Sequence, residues 1–187
     1  MGIIRLDHCA FRVENREKTA NLLKKILGYQ DQGEPFDIDF DDGTKAKCCV
    51  LEPIIAEGKP EIFISDGEPG SIVANWVKEH GENIHHLAWL VDNVEQTMEE
   101  WKAAGVEFST EKPIKCEGLT QIFTKEIAGV VFELIERETV GFCQSSVKQL
   151  MIASQSNTNL KFVDNITSKD ILDFGSYDVS ILDELVG

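Results

Sequence analysis

Asp7-His8-Cys9-Ala10-Phe11-Arg12-Val13-Glu14-Asn15 returns 78 residues later as His85-His86-Leu87-Ala88-Trp89-Leu90-Val91-Asp92-Asn93. His, Ala, Val and Asn are identical between the two stretches, and Phe11 meets Trp89 at the matching aromatic place. Self-similarity at a fixed offset reads as a duplicated unit and sets the architecture before any local pattern does. A helical pattern follows each copy. Ala20, Leu23, Ile26 and Leu27 carry it in the first and Val94, Met98 and Trp101 in the second, at the three-to-four spacing of an amphipathic helix. Gly28 and Gly105 stand where such helices end.

Beyond each helix the period shortens toward two. Strands are expected over about 37–40, 45–51 and 61–64 in the first copy and 106–109, 119–124 and 130–135 in the second, with turns at Asp42-Gly43 and Ala128-Gly129. Each copy therefore reads β-α-β-β-β. One such module leaves open edges and a bare face, so two must pack or close on each other. The expected fold is α+β, with paired β-α-β-β-β modules (1–68 and 83–138) forming one barrel over 1–138. A linking helix at 70–81 carries Ile72, Val73, Trp76 and Val77 after a Ser71 cap. In 139–187, Val147, Leu150 and Met151 are expected on a C-terminal helix that docks on the barrel. An acidic-apolar tail follows the polar 154–159, either docking on a neighbouring subunit of a homodimer or remaining mobile.

The chain has 187 residues, 42% hydrophobic, enough for one good core. Its 33 acidic and 18 basic side chains give a net charge of −15, which repels phosphate backbones and anionic membrane surfaces, so neither nucleic acid nor membrane is an expected partner. No run approaches the length of a membrane span, and Met1-Gly2-Ile3-Ile4-Arg5-Leu6-Asp7 has no basic segment leading into an apolar signal core. Five cysteines without a C-x-x-C pair fit reduced core residues, so a cytoplasmic protein is expected.

His8 and His86 occupy corresponding places in the repeat, each on a strand with apolar neighbours. Closing the copies about a twofold axis brings both imidazoles toward that axis, where they serve as metal ligands or as hydrogen-bonded core histidines. Glu133 lies in the otherwise apolar Val130-Val131-Phe132-Glu133-Leu134-Ile135, where an ionised carboxylate calls for a cation or a partner. With period two it either lines the interior with Val131 and Ile135 or faces solvent. Glu61, at the start of the matching strand of the first copy, is nominated as its symmetry mate.

Leu6-Asp7-His8, Ile84-His85-His86-Leu87-Ala88 and Phe132-Glu133-Leu134-Ile135-Glu136-Arg137 resemble the three metal strands of the vicinal-oxygen-chelate superfamily, which includes glyoxalase I, methylmalonyl-CoA epimerase and the 4-hydroxyphenylpyruvate dioxygenases. The resemblance covers about residues 5–152 and implies a metal centre of His8, His86 and Glu133. Ser71 to Gly81 running into Ile84-His85-His86, Gly141-Phe142-Cys143-Gln144 and Lys148-Gln149-Leu150-Met151 resemble the catalytic half of the dioxygenase. That likeness implies a non-haem Fe(II) dioxygenase acting on a 2-oxo acid, with Phe142, Leu150 and Met151 as a lid. The chain departs from it in holding room for one barrel, in His85 where glutamine is usual, in Ile72 and Val73 where polar residues are expected, and in Val147 and Met151 where phenylalanines are expected.

The alternative is an isomerase or lyase of the epimerase or glyoxalase type. In that reading Glu61 is a fourth ligand, the metal is Co, Ni, Zn or Mn, and a carboxylate, Glu61 or Glu133, moves the proton beside a polarised carbonyl. A metal-free small-molecule-binding protein is a third reading.

Overall fold

The computed structural model describes residues 2–56, 58–116, 118–138 and 144–154. Phe142 and the tail from 155 lie outside them, as does the side chain of Leu150. The first half runs β1 (Ile3–Arg12), α1 (Arg16–Leu27), β2 (Tyr29–Asp31), β3 (Phe36–Asp39), β4 (Lys45–Pro53) and β5 (Glu61–Gly67). The linking helix α2 (Ile72–His80) leads to the second half: β6 (Asn83–Val91), α3 (Val94–Ala103), β7 (Ile114–Cys116), β8 (Leu119–Phe123) and β9 (Val131–Arg137), followed by α4 (Gln144–Ser154).

The repeat begins its helices the same way twice. Asn15 accepts from the Lys18 amide and Asn93 from the Gln96 amide, each capping a helix that would otherwise leave that donor unpaired. Ser71 does the same for Ala74 at the start of α2. Ala20 of α1 is buried and Leu23 packs beside it, whereas Ile26 and Leu27 are exposed, so the apolar stripe expected on α1 is narrower than its sequence pattern.

Nine strands form one sheet in the order β2-β4-β5-β1-β6-β9-β8-β7, with β3 also on β4. Its seam is the antiparallel pair β1 and β6, and each of these has a parallel neighbour from its own half, β5 for β1 and β9 for β6. The halves thus mirror each other about the seam, although the sheet of described strands is open, since its end strands β2 and β7 do not pair with each other. The turn at Ala128-Gly129 forms as expected. Both residues have positive φ and Ile127 and Val130 exchange two hydrogen bonds, the geometry of a tight hairpin.

One expected strand is not there. The segment 106–109 touches the sheet only through the bridge between Phe108 and Thr124, and the edge strand is β7 instead. The amides of Ala104, Gly105 and Val106 donate to carbonyls of the last turn of α3, and Phe108 packs against the Val94, Met98 and Leu134 cluster, which leaves Glu107 and Ser109 to form the bridge through their bonds with Lys125 and Phe123. The largest core cluster lies under α2, where Val73 and Val77 meet Ala46, Cys48, Phe63 and Met151. Cys48 and Cys49 are buried and Cys9 half-buried, and all three are free thiols.

Two irregularities in the seam matter for the site. Leu6 pairs with Trp89 and His8 with Ala88, which leaves Asp7 as an extra residue in β1. Ala10 pairs with His86 and Phe11 with Ile84, which leaves His85 as an extra residue in β6. A bulge re-aims the side chains around it. Asp7 and His85 correspond in the repeat, so the same bulge precedes the same histidine in both halves.

Candidate metal centre

The bulges explain why neighbouring residues share one side of the sheet. In a regular strand His85 and His86 would point to opposite faces. With His85 bulged, both line one pocket, together with His8, Gln121 and Glu133. His8 Nε2, His86 Nε2 and Glu133 Oε2 form a nearly equilateral triangle, with the two nitrogens 3.2 Å apart and the carboxylate oxygen 3.3 Å from His8 and 3.2 Å from His86. Glu133 is 1% exposed and His8 2%. Period two thus places Glu133 inward with Val131 and Ile135, and the solvent-facing alternative does not occur.

These three residues fit a divalent cation. Donors on a triangle of that edge subtend a centre about 2.0–2.3 Å from each, the range of first-row metal bonds to nitrogen and oxygen. The donor set, two imidazoles and one carboxylate, suits first-row metals. Glu133 Oε2 is also buried and faces the two imidazole nitrogens, a position in which an ionised oxygen calls for a positive charge beside it.

The bulged residues orient the two imidazoles. Asp7 Oδ2 lies 3.1 Å from His8 Nδ1 and accepts a hydrogen bond from its N–H, the tautomer that leaves Nε2 bare toward the triangle. His85 Nδ1 lies 2.8 Å from His86 Nδ1. For His86 to present a bare Nε2, its Nδ1 must donate and His85 must accept. His85 is held neutral for this role, because burial, and then Arg12, push its pKa well below the usual imidazole value. Asp7 is itself anchored by Arg137 at 2.9 Å and Arg5 at 3.0 Å.

Without a cation, charge in the triangle is shared unevenly. Burial opposes a charged His8, yet the carboxylates of Asp7 and Glu133 outweigh it and raise its pKa to about 9. Burial likewise opposes ionised Glu133, but His8 and His86 hold its carboxyl down to about 2. On His86 burial outweighs the pull of Glu133, and its pKa falls.

Glu61 lies outside the three-residue group. Its carboxylate accepts from Gln32 at 2.9 Å and from Arg137 at 3.3 Å. Nor is it the symmetry mate of Glu133. Strand register pairs Ala10 with Phe63 in the first half and its counterpart Ala88 with Glu133 in the second, so Phe63 holds the place that mirrors Glu133, and the mate of Glu61 is Val131. Counting from each histidine through loops of unequal length misaligned the two end strands by two residues.

Of the expected lid, Met151 is buried and lines the pocket with Val147. Gln121 and Arg12 also line it and went unremarked in the sequence. A signal existed for both: Gln121 is the polar interruption of Leu119–Phe123, and Arg12 shares the period-two face of His8. Gln121 is 3% exposed, and its Nε2 has no hydrogen-bond partner among the described residues.

Duplicated β-α-β-β-β halves, with two histidines and a carboxylate meeting across their seam, define the vicinal-oxygen-chelate class. Residues 7–138 match the Glyoxalase/Bleomycin resistance protein/Dioxygenase superfamily, and the chain belongs to that family. Among solved structures, it is similar to a triple mutant of 4-hydroxymandelate synthase from Streptomyces coelicolor (20% identity, TM-score 0.68), covering 83% of this chain and 54% of the synthase. It is also similar to a methylmalonyl-CoA epimerase (20%, TM-score 0.59), covering 74% of this chain and 99% of the epimerase, and to the epimerase from Mycobacterium tuberculosis (21%, TM-score 0.56), covering 73% and 90%. The chain therefore spans about half the length of the synthase it resembles, and identities this low establish a shared fold. No curated protein matches the sequence significantly. No helix among the described residues is long and apolar enough to cross a membrane.

Proposed function

We propose that the chain is a metal-dependent enzyme acting on a small 2-oxo acid or related carbonyl compound, with His8, His86 and Glu133 holding Fe(II) in a non-haem dioxygenase. The observation that carries this reading is the three-donor face with Phe63, rather than an acid, in the mirrored fourth place. Two histidines and one carboxylate on one side leave open positions, which is the ligand pattern of non-haem Fe(II) oxygenases. Bound there, iron would supply Lewis acidity and one-electron chemistry with dioxygen.

The chain's own residues do the rest. Asp7 and His85 hold the imidazole protons on the outer nitrogens, so that both inner nitrogens stay bare. The amide of Gln121 is placed to donate to a substrate oxygen. Phe63, Phe123, Val147 and Met151 wall the pocket with apolar surface and exclude water.

An epimerase or glyoxalase type of isomerase or lyase is the second reading, favoured by the near-complete coverage of the epimerase chain. It would use Glu61 as fourth ligand or base, against which stands the engagement of that carboxylate by Arg137 and Gln32. The deciding experiment is anaerobic reconstitution with Fe(II), followed by oxygen-uptake assays over aryl and alkyl 2-oxo acids. Uptake coupled to carbon dioxide release is expected. Metal-dependent proton exchange without oxygen would overturn the dioxygenase in favour of the second reading, and failure to bind Fe(II), Co(II) or Zn(II) would remove both.

A further inference from the structure

We infer that residues 171–186 of this chain dock on a basic and apolar patch along α1 and its C-terminal corner, an interaction surface independent of the metal-centre reading above. Lys18, Leu22, Lys25 and Ile26 follow the i, i+4, i+7, i+8 spacing of one helix face, and all four are exposed. Leu27 extends the patch to the helix end, where Gly28 turns the chain and its carbonyl accepts from the Ile54 amide at 3.1 Å. That bond sets Ile54 and Ile55 beside the helix. The loop that follows is pinned to the same corner, because the Lys59 amide donates to the Ala56 carbonyl and the Tyr29 hydroxyl to the Pro60 carbonyl at 2.8 Å.

Leu22, Ile26, Leu27, Ile54 and Ile55 are 46–63% exposed, and they are five of the nine large hydrophobic residues exposed among the described residues. Gathered at one corner, they form the kind of surface that a protein in water covers. Lys24, on the same helix, is held by Asp31 at 2.7 Å, whereas Lys18, Lys25 and Lys59 have no ion pair among the described residues. The patch therefore calls for an occupant with apolar side chains and acids.

The sequence holds such a segment. Residues 171–186 carry four acids, Asp173, Asp178, Asp183 and Glu184, no Lys or Arg, and apolar pairs at Ile171-Leu172, Ile181-Leu182 and Leu185-Val186. They belong to the stretch that lies outside the described residues. In a chain of net charge −15, an acidic segment is repelled by most of the surface and drawn to unpaired cations. Its reach is sufficient. Lys148 of α4 holds Asp41 at 2.8 Å, in the turn that leads into β4, and Ile54 follows the far end of that strand. The nine residues of β4 span about 30 Å. The sixteen residues between α4 and Ile171 extend to about 50 Å, enough to pass the sheet edge as well.

The test is zero-length carbodiimide cross-linking of the whole chain, as an equal mixture of unlabelled and heavy-nitrogen protein, read by mass spectrometry of the linked peptides. Links are expected from Lys18, Lys25 or Lys59 to Asp173, Asp178, Asp183 or Glu184, each with both ends carrying the same isotope. L22D/I26D changes two exposed side chains, so circular dichroism should stay unchanged while the yield of those links falls about tenfold or more. I181D/L182D alters the docking segment instead of the helix, keeps the test decisive should the first variant unfold, and should lower the yield as much. In both variants the amides of 171–186 should exchange with deuterium about tenfold faster than in the wild type. Absence of these links, or a yield that neither variant reduces, would overturn the docking. Links joining unlabelled to heavy chains would assign the patch to a second copy and overturn docking within one chain.

Discussion

The two halves of the molecule share a frame and differ at the positions that face the centre. Each half has the same capped helix, the same seam strand and the same bulge before its histidine. Yet the bulged residue is Asp7 in one and His85 in the other, and the inward place on the end strand is Phe63 in one and Glu133 in the other. The frame needs backbone hydrogen bonds and apolar faces, which any copy of the sequence pattern supplies. Two donors of the triangle, the imidazoles, come from where the copies agree, and the third, Glu133, comes from where they have diverged.

Breaking the divergent pair has the largest expected effect. E133A removes the single carboxylate of the triangle, so metal retention should fall more than about a thousandfold while circular dichroism stays unchanged, because β9 is held by β6 and β8. F63E restores the lost symmetry and should convert a three-donor into a four-donor face. Zn(II) is then expected to bind about tenfold or more tighter, and Fe(II)-dependent oxygen uptake to fall at least as much. D7N and H85A each remove the partner of one imidazole and should weaken Zn(II) by about 10–100-fold, read by competition with a chromophoric chelator.

Metal-free protein sharpens the comparison through pH. Because the pKa of His8 is raised to about 9 in the fold, its stabilising contribution is complete below the unfolded value of 6.5 and is lost as pH rises through 9. The thermal midpoint should therefore drop by several degrees over that interval, and D7N should flatten the drop by taking away one of the carboxylates that hold the proton. The smallest effect is expected from E61Q, below about threefold on Zn(II) affinity; a loss of tenfold or more would make Glu61 a ligand after all.

Much of this is legible in the sequence. The offset between His8 and His86 announced the duplication, and the Ser71 cap and the Ala128-Gly129 turn came from local chemistry that structure could only confirm. Glu133 stands out as a charge in an apolar run, and the structure buries it beside both histidines. The bulges at Asp7 and His85 were not legible, since a single extra residue in a ladder depends on what the partner strand does and leaves no local signature. The mate of Glu133 was misread for a related reason: register between strands is fixed by hydrogen bonds across the sheet, while sequence counting runs through loops of unequal length. The strand expected at 106–109 shrinks to a single bridge because the Val106 amide closes α3 and Phe108 packs on that helix's cluster, a competition that alternation cannot reveal.

The placement of the triangle across the seam would tie a bound metal to folding. Its donors come from residues 8, 86 and 133, so a bound ion clips together points separated by 125 residues of chain, a loop closure whose entropic penalty the unfolded chain must otherwise meet at every refolding. Neither half could hold the ion alone, because each contributes an incomplete set of arms. Occupancy should thus act as a latch on the whole β1–β6 joint, and chelation should loosen the two halves from each other before either one melts within itself.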